Sequence, residues 1–305
     1  MDLPTAVTFE IGKTRQSVIT AYEIGVLVFH LYFEKQYNNE KLSGIKKRYP
    51  NGSDVTRIIY ILCRRAVLQE SKAVRNQAVF SILGRENSSP EEAAWTLACT
   101  IDPFAYVSHM SAMEWHGLTG RIAKVLFLSS PRPSQWRKFA REKMEKDLGD
   151  PEKFSKYHLN GMPLLRRLGV SKIRDKALNC YSSLHLGAFI SLRDSRLRVS
   201  TVGRTFLDMI REPDLCGGIY HVVEVYSEHA ERNLQLVVDE IDRHGTNIDK
   251  VRAGYLLEER LGLPHPAIKG WVKFAQRGGS RKLYAGEAYS PTYSEKWCLS
   301  INVEI

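Results

Sequence analysis

The stretch NGSDVTRIIYILCRRAVLQ, residues 51–69, contains a turn followed by an amphipathic helical pattern. Ser53 or Asp54 can cap this helix, because a short polar side chain accepts hydrogen bonds from the first N–H groups of a helix. Apolar side chains recur at helical spacing on one face: Val55, Ile58, Ile59, Leu62 and Ala66. The arginines of the stretch lie on other faces: Arg57, Arg64 and Arg65.

A β-hairpin is predicted directly after this helix, in the sequence ESKAVRNQAVFSILGR, residues 70–85. Asn76 and Gln77 form a polar turn between two runs that favour extended structure, and Val79–Leu83 is the predicted returning strand. Lys72 and Arg75 lie on this hairpin, where they can meet phosphate groups.

Two further helices are predicted before residue 51. Apolar residues near helical spacing predict one amphipathic helix over 17–36. A short polar helix is predicted around 40–48, because Pro50 and the turn-forming pair after it prevent its continuation. The predicted order of helix, short helix, turn, helix and hairpin is that of a winged helix-turn-helix. Such a module places its third helix in the major groove of DNA and its hairpin along the backbone.

Residues of this module form the predicted DNA interface. Lys46, Lys47 and Arg48 close the predicted second helix, where cations also interact favourably with the helix dipole. Base contacts are predicted for Ser53, Thr56 and Arg57 near the start of the third helix, and phosphate contacts for the cations. The full predicted set is Lys46, Lys47, Arg48, Ser53, Thr56, Arg57, Arg64, Arg65, Lys72 and Arg75. Winged helices also serve as protein-interaction modules, so an interaction role is the alternative.

The net charge of +10 is concentrated in two blocks. Residues 41–85 hold ten Lys or Arg against two Asp or Glu, and residues 121–200 hold eighteen against seven. Residues 86–120 hold five acids and no Lys or Arg. The first block favours a polyanion as partner of the N-terminal module. The second block is compatible with DNA, RNA or an acidic partner, and equally with a solvated surface.

A domain boundary is predicted near 84–89, where GRENSS precedes a capping box of Ser89, Pro90 and Glu92. We therefore expect a winged helix-turn-helix DNA-binding domain over 1–88 and a larger mixed α/β domain over 89–305, which makes the fold class α+β. Five scattered cysteines without a CxxC pair favour reduced thiols in a cytoplasm. No apolar run is long enough for a membrane span, and no secretory signal is present, so no membrane partner is expected.

The stretch YVSHMSAMEWHGLTGRI, residues 106–122, raises the question of a metal or acid–base site. Ser108 can cap a helix over 109–116, which Gly117 ends. His109 and His116 are seven residues apart, about 10 Å along a helix, which is too far for two ligands of one ion. The position of His116 at a helix end is explained by the helix dipole. We therefore interpret both histidines as structural, and predict no metal and no cofactor.

Four segments in order resemble the AbiEi family of antitoxins from abortive-infection toxin–antitoxin pairs. They are YVSHMSAMEWHGLT (106–119), VSTVGRTFLDMIREPDLCGGI (199–219), AGYLLEERLGL (253–263) and GGSRKLYAGEAYSPTYSEKWCLSIN (278–302). Together they cover most of 106–302, whereas residues 1–88 match the family in architecture more than in sequence. The resemblance implies that the winged helix represses its own operon by binding repeats in the promoter. We expect inverted repeats there, to which the protein can bind as a dimer. It also implies that the C-terminal domain counters a nucleotidyltransferase toxin, without a stable complex between the two proteins.

Several residues of these segments have a physical interpretation of their own. Arg204 and Asp208 are four residues apart on a predicted helix and can pair, with a contribution of about 0.3–0.5 kcal/mol if exposed. AFISLRDSRLRVST, residues 188–201, is predicted to form two strands. A second basic patch is predicted from their arginines and from the GGSRK turn: Arg193, Arg196, Arg198, Arg281 and Lys282. SSPRPSQWRKFAREK, residues 129–143, is predicted to be a proline-broken basic loop.

An enzymatic role is the second hypothesis. The sequence has no P-loop, no GxSxG motif and no dinucleotide-binding glycine pattern. A nuclease-like Pro213–Asp214 lacks the Glu-x-Lys that should follow it, since Glu224-Val225-Tyr226 stands there. The alternative is a nucleic-acid-processing enzyme with a winged-helix targeting module, in which His109, Glu114 and His116 are active. We favour a regulator and antitoxin without catalysis of its own.

Overall fold

The structure, a computed structural model, describes residues 1–45, 47–74, 78–85, 90–183, 188–193, 195–276 and 281–304. Helices and strands are mixed along the chain, with several separate sheets, which agrees with the α+β class expected from the sequence. The α-helices are α1 (Leu3–Lys13), α2 (Ala21–Glu34), α3 (Gly52–Arg64), α4 (Pro90–Ile101), α5 (His109–Trp115), α6 (Pro133–Leu148), α7 (Pro151–Leu159), α8 (Val202–Arg211), α9 (Ile219–His229), α10 (Leu234–His244), α11 (Asn247–Gly254) and α12 (Pro266–Trp271).

The strands are shorter than the helices. They are β1 (Val18–Thr20), β2 (Gln36–Tyr37), β3 (Glu40–Lys41), β4 (Leu68–Glu70), β5 (Val79–Ile82), β6 (Tyr106–Val107), β7 (Val125–Pro131), β8 (Lys172–Ile173), β9 (Lys176–Ser183), β10 (Phe189–Ser191), β11 (Arg198–Ser200), β12 (Tyr293–Ser294) and β13 (Leu299–Ser300). Single turns of 3₁₀-helix cover Pro213–Cys216 and Val272–Phe274, and a π-helical turn covers Tyr255–Arg260.

The chain divides into two compact units. Unit 1 comprises Met1–Ala105, Ser130–Leu184 and Ser191–Arg198, and unit 2 comprises Tyr106–Ser129, His185–Ile190 and Val199–Ile305. This division differs from the boundary predicted between residues 88 and 89. The reason is that α6 and α7, far along the chain, contribute to the same hydrophobic core as α1, α2 and α3.

The start of unit 1 differs from the sequence prediction in two ways. A helix that was not predicted, α1, is capped by Asp2, whose side chain accepts a hydrogen bond from the N–H of Thr5. The helix predicted over 17–36 begins only at Ala21, and β1 precedes it. β-branched residues favour a strand there, and Thr20 then caps α2 in a reciprocal capping box with Glu23.

The short helix predicted around 40–48 is wrong for the described residues of that range. Strands β2 and β3 form a hairpin there, and its two turn residues, Asn38 and Asn39, have φ angles of 47° and 65°. Asparagine tolerates this left-handed region better than most residues, and two such residues in a row favour a tight hairpin turn. Lys47 and Arg48 therefore do not lie at a helix end, and their proposed interaction with a helix dipole does not hold.

The predicted hairpin after α3 is confirmed. β4 and β5 are antiparallel, with Leu68 opposite Ile82 and Glu70 opposite Phe80. β5 also pairs with β1, so the three-stranded sheet has the order β1-β5-β4. The predicted turn at Asn76 and Gln77 lies outside the described residues.

The later part of unit 1 includes a second correction. The basic loop predicted over 129–143 is largely helical, because Pro133 stands at the first position of α6, where its missing N–H costs nothing. Trp136 on α6 is buried and donates its indole N–H to Asp102 Oδ1 at 2.8 Å. Ser130 Oγ donates to the other oxygen of Asp102 at 2.8 Å, so this buried carboxylate joins two distant segments of the unit.

Unit 2 packs helices α8 to α12 around one hydrophobic core that includes Trp271 and Trp297. Within this unit, β11 pairs in parallel with β6, and β6 pairs antiparallel with β7. The predicted pair of Arg204 and Asp208 is confirmed, with Nε and Oδ1 2.7 Å apart. Their side chains are only 3% and 4% exposed, so this pair is an internal link and not the exposed pair considered from the sequence. Removing one partner of a buried pair costs more than the pair itself contributes.

Contact between α8 and α10 requires a glycine at position 203. A Cβ atom on Gly203 would lie 2.3 Å from the carbonyl oxygen of Leu236 and 2.9 Å from Glu240 Cβ. We therefore expect Gly203→Ala to lower the free energy of unfolding of unit 2 by about 1–3 kcal/mol, measured by urea denaturation. Gly270→Ala is the matched control, because a Cβ there meets nothing within 4 Å. Equal stability of the two variants would contradict this packing.

Candidate nucleic-acid interface

Helix α3 begins at a reciprocal cap. Asn51 is the capping residue, and its side-chain oxygen accepts a bond from the N–H of Asp54 at 3.0 Å. Asp54 in turn accepts a bond from the N–H of Asn51 at 3.0 Å. The capping residue is therefore Asn51 and not Ser53 or Asp54, both of which lie inside the helix. The cap fixes where α3 starts and hence which side chains face outward.

The two faces of α3 have opposite character. Val55, Ile58 and Leu62 are buried in the core of unit 1. The predicted apolar face is thus confirmed at these positions, whereas Ala66 lies beyond the helix and is exposed. The opposite face carries exposed polar, cationic and aromatic residues: Ser53, Thr56, Arg57, Tyr60 and Arg64.

Tyr60 was not predicted as a site residue. Its side chain is 62% exposed on α3, which is unusual for a large aromatic residue. Its spacing from Thr56 and Arg57, four and three residues, is the signal that places it on the same face. The five residues on this face, Ser53 to Arg64, are here called the outer face of α3.

Asp54 moderates the positive charge near the start of α3. Its carboxylate lies 3.4 Å from Lys47 Nζ and 3.7 Å from an Arg57 guanidinium nitrogen. Both cations remain mostly exposed, so each pair is weak and screened by solvent. Lys47 and Arg57 can therefore exchange this contact for a phosphate at small cost.

The other predicted N-terminal residues have different environments. Arg65 donates to Asp2 Oδ2 and Thr5 Oγ1, both at 3.0 Å, and thereby ties the end of α3 to the start of α1. Arg48 stacks its guanidinium 5.5 Å from the Tyr49 ring centre, and Lys72 is exposed beside β4. Lys46 and Arg75 lie outside the described residues.

The five residues of the predicted second basic patch are mostly engaged within their own units. In unit 1, Arg196 pairs with Glu23 at 2.6 Å, and Arg198 donates to the carbonyl groups of Cys99, Asp102 and Ala105. In unit 2, Arg281 donates to the carbonyl of Phe274, and Lys282 to those of Ala285 and Glu287. Arg193 is exposed. These contacts weaken the prediction of a second patch, because an engaged guanidinium must break bonds before it binds a phosphate.

A cleft of about 1110 Å³ opens beside the first two turns of α3. One wall is α3 itself, with Thr56, Arg57 and Tyr60. The lining also includes residues of the segment Asn160–Arg166, which follows α7 and is called the flanking segment below. Further lining residues lie at the starts of α2 and β5 and at the end of α4.

A smaller cavity of about 410 Å³ lies at the β4–β5 hairpin. Its lining includes Lys72 and, from the later chain, Arg174. The backbone N–H of Arg174 donates to the carbonyl of Ala73 at 3.0 Å, which attaches the β8–β9 turn to the hairpin. This contact could not be predicted from the spacing of residues, because Ala73 and Arg174 are 101 positions apart in the sequence.

His109 on α5 is buried, and His116, the residue after α5, is partly buried. His109 is 1% exposed, and its Nδ1 lies 2.8 Å from Ser108 Oγ. His116 Nε2 donates to the carbonyl of Ser200 at 2.7 Å. Burial lowers the pKa of both imidazoles. His116 lies at the C-terminal end of α5, as expected, and its hydrogen bond to the carbonyl of Ser200 holds the ring in place.

A hydrogen-bond chain centred on His221 was not predicted from the sequence. His221 Nε2 lies 2.9 Å from Thr119 Oγ1, and its Nδ1 lies 3.0 Å from Glu224 Oε2. This order of hydroxyl, imidazole and carboxylate is the one used to activate nucleophiles. Arg121 also donates its backbone N–H to Thr119 Oγ1 at 3.0 Å, so the hydroxyl helps to fix the turn after α5.

The described part of the chain contains no group of three or more His, Cys, Asp or Glu residues that could hold a metal ion. Among the same residues, every helix is too short or too polar to cross a lipid bilayer.

The lowered pKa of His116 predicts a pH dependence of stability. In the unfolded chain this imidazole has an ordinary pKa. Below that pKa the unfolded state binds a proton that the native state does not, so the free energy of unfolding falls as the pH is lowered. We expect the free energy of unfolding to fall between about pH 7.5 and about pH 5.5. His116→Gln, which keeps an N–H donor, should flatten this dependence, and exposed His158→Gln should not. A pH profile unchanged by His116→Gln would contradict the assignment.

No protein-family model matches the chain, and no curated protein is significantly similar to it in sequence. Its structure is similar to the crystal structure of RV2827C protein from Mycobacterium tuberculosis, with a TM-score of 0.49. The sequence identity is 11%, over 97% of this chain and 89% of that chain. A likeness at this level supports no conclusion about function.

Proposed function

We propose that the protein binds double-stranded DNA through a winged helix formed by α1, β1, α2, α3 and the β4–β5 hairpin. The order of these elements supports the proposal, because a winged helix has its short first strand between the first two helices and its hairpin after the third. The sheet order β1-β5-β4 also supports it, since the short first strand then pairs with the last strand of the hairpin.

The observation that carries the proposal is the division of α3 into a buried apolar face and an exposed outer face. An α-helix of about 10–12 Å diameter fits the major groove, which is about 12 Å wide. The outer face offers groups suited to base edges and phosphates, above all Arg57, which is 67% exposed at its side chain. Lys72 on the hairpin is available for the DNA backbone.

The cellular role that we propose is that of a cytoplasmic transcriptional autorepressor and antitoxin. The DNA is the protein's own promoter with inverted repeats, bound by a dimer. The four segments that resemble AbiEi antitoxins support this role, and because they lie in residues 106–302 we assign the antitoxin function to the C-terminal part of the chain. The functional partner is a nucleotidyltransferase toxin, neutralised without a stable complex and without catalysis by this chain.

A second candidate function is a nucleic-acid-processing enzyme that uses the winged helix for targeting. The hydrogen-bond chain of Thr119, His221 and Glu224 favours it, because an imidazole between a hydroxyl and a carboxylate can act as a general base. Turnover of DNA, RNA or a nucleotide that is lost in a folded His221→Ala protein would establish this candidate and remove the first.

Binding of the upstream DNA tests the DNA-binding proposal. In fluorescence anisotropy with a labelled duplex from the region upstream of the gene, we expect Arg57→Ala to lose about 1–3 kcal/mol of binding free energy. Tyr60→Ala should also weaken binding, because the ring faces the same groove. Lys138→Ala on α6 is the matched control, since its side chain is equally exposed but lies outside the outer face. Absence of measurable binding between the wild-type protein and this duplex at low salt would refute DNA binding.

Co-expression tests the antitoxin proposal separately. Cells expressing an adjacent nucleotidyltransferase should be rescued by the wild-type chain. They should also be rescued by the Arg57→Ala variant, since toxin neutralisation is assigned to the C-terminal part. Failure of the wild-type chain to rescue growth would refute the antitoxin role and leave DNA binding unaffected.

A further inference from the structure

The flanking segment, Asn160–Arg166, touches the first turn of α3. The N–H of Gly52 donates to the carbonyl of Asn160 at 3.1 Å. A Cβ atom on Gly52 would lie 2.3 Å from the carbonyl oxygen of Gly161, so only glycine allows this approach. A residue about a hundred positions after α3 therefore lies directly against its start.

The flanking segment is held firmly by unit 1. Tyr157 on α7 donates its hydroxyl to the carbonyl of Pro163 at 2.7 Å, and Met162 is buried in the core. Gly25 on α2 leaves the space that this tyrosine hydroxyl occupies, because a Cβ there would lie 2.5 Å from it. Because the backbone of this segment is already fixed, little conformational entropy is lost there when a ligand binds.

The segment lies beside the outer face of α3 and does not cover it. Successive residues of an α-helix are separated by about 100°, which places Gly52 about a quarter of a turn from the centre of the outer face. When a helix fills the major groove, its outer face meets the base edges and its flanks meet the two sugar–phosphate walls. The flanking segment therefore lies on the side of α3 where one phosphate wall runs.

A cation is present at this position. Arg166 is exposed and lines the same cleft as Thr56, Arg57 and Tyr60. A second cation, exposed Arg174, lines the cavity at the hairpin together with Lys72. Both arginines belong to the second basic block of the sequence, and guanidinium groups suit phosphate oxygens.

We propose that the DNA-binding surface is composite, with Arg166 beside α3 and Arg174 beside the β4–β5 hairpin as phosphate-contacting residues supplied by the later chain. This inference rests on the proposed DNA binding and extends it. Two cations of the basic block 121–200 then contact the DNA backbone. They should add affinity that does not depend on the DNA sequence, because phosphates are the same at every base pair.

The salt dependence of DNA binding tests the composite surface. For each phosphate contact removed, the slope of log affinity against log salt should fall by about 1. Arg166→Ala and Arg174→Ala should each show this fall and a roughly fivefold loss of affinity at about 0.1 M salt. The loss should be equal for the upstream duplex and for an unrelated duplex of the same length. Lysine at either position should retain most of the slope, because it keeps the charge.

Arg141→Ala is the matched control, because Arg141 is an exposed arginine of unit 1 that lines neither cavity, and it should leave the slope unchanged. Thermal denaturation checks that every variant is folded. Unchanged or increased affinity of the Arg166→Ala and Arg174→Ala proteins, with wild type binding normally, would overturn the composite surface and leave the proposed function standing. Absence of DNA binding by the wild-type protein would refute both the composite surface and the proposed DNA binding.

Discussion

The burial of one face of α3 is the constraint on which the proposed interface depends. Val55, Ile58 and Leu62 are each at most 1% exposed in the core of unit 1. Full burial of such a side chain is worth about 1.5–3 kcal/mol, so rotating the helix by even one residue would cost several kcal/mol. The reciprocal cap of Asn51 and Asp54 fixes the start of the helix as well. Together they leave one orientation, in which Arg57 and Tyr60 face solvent.

The same core explains how a later part of the chain reaches the N-terminal helices. Trp136 and Tyr157 on α6 and α7 are buried with Phe29 of α2 in one hydrophobic cluster. This packing brings the flanking segment, which follows α7, to Gly52. A separate backbone hydrogen bond attaches the β8–β9 turn to Ala73. Charge that is separate in the sequence is thereby collected around α3 and the hairpin within one unit. A protein with the N-terminal ninety residues alone would lack part of its core as well as two cations.

Local patterns predicted the parts of the fold that local physics controls. The apolar face of α3, the β4–β5 hairpin and the start of α4 at Pro90 follow from periodicity, β-propensity and proline position, and they were predicted from the sequence. The prediction of a short helix around 40–48 is wrong because the left-handed tendency of Asn38 and Asn39 favours a hairpin turn directly before it. Arg196 and Arg198 alternate as expected for a strand, but their partners, Glu23 and the carbonyls near Cys99, come from distant residues. No single-sequence pattern reveals such partners, and the same limit hid Arg166 and Arg174.

Photo-crosslinking to the upstream duplex tests the central claim most directly. Thymines in that duplex are replaced by 5-iododeoxyuridine, which crosslinks to a neighbouring aromatic side chain on irradiation, and the attached peptides are mapped. Crosslinks at Tyr60 on α3 are the predicted result, because this ring lies on the outer face that enters the groove. Crosslinks confined to unit 2, with the peptide containing Tyr60 unmodified, would contradict the account.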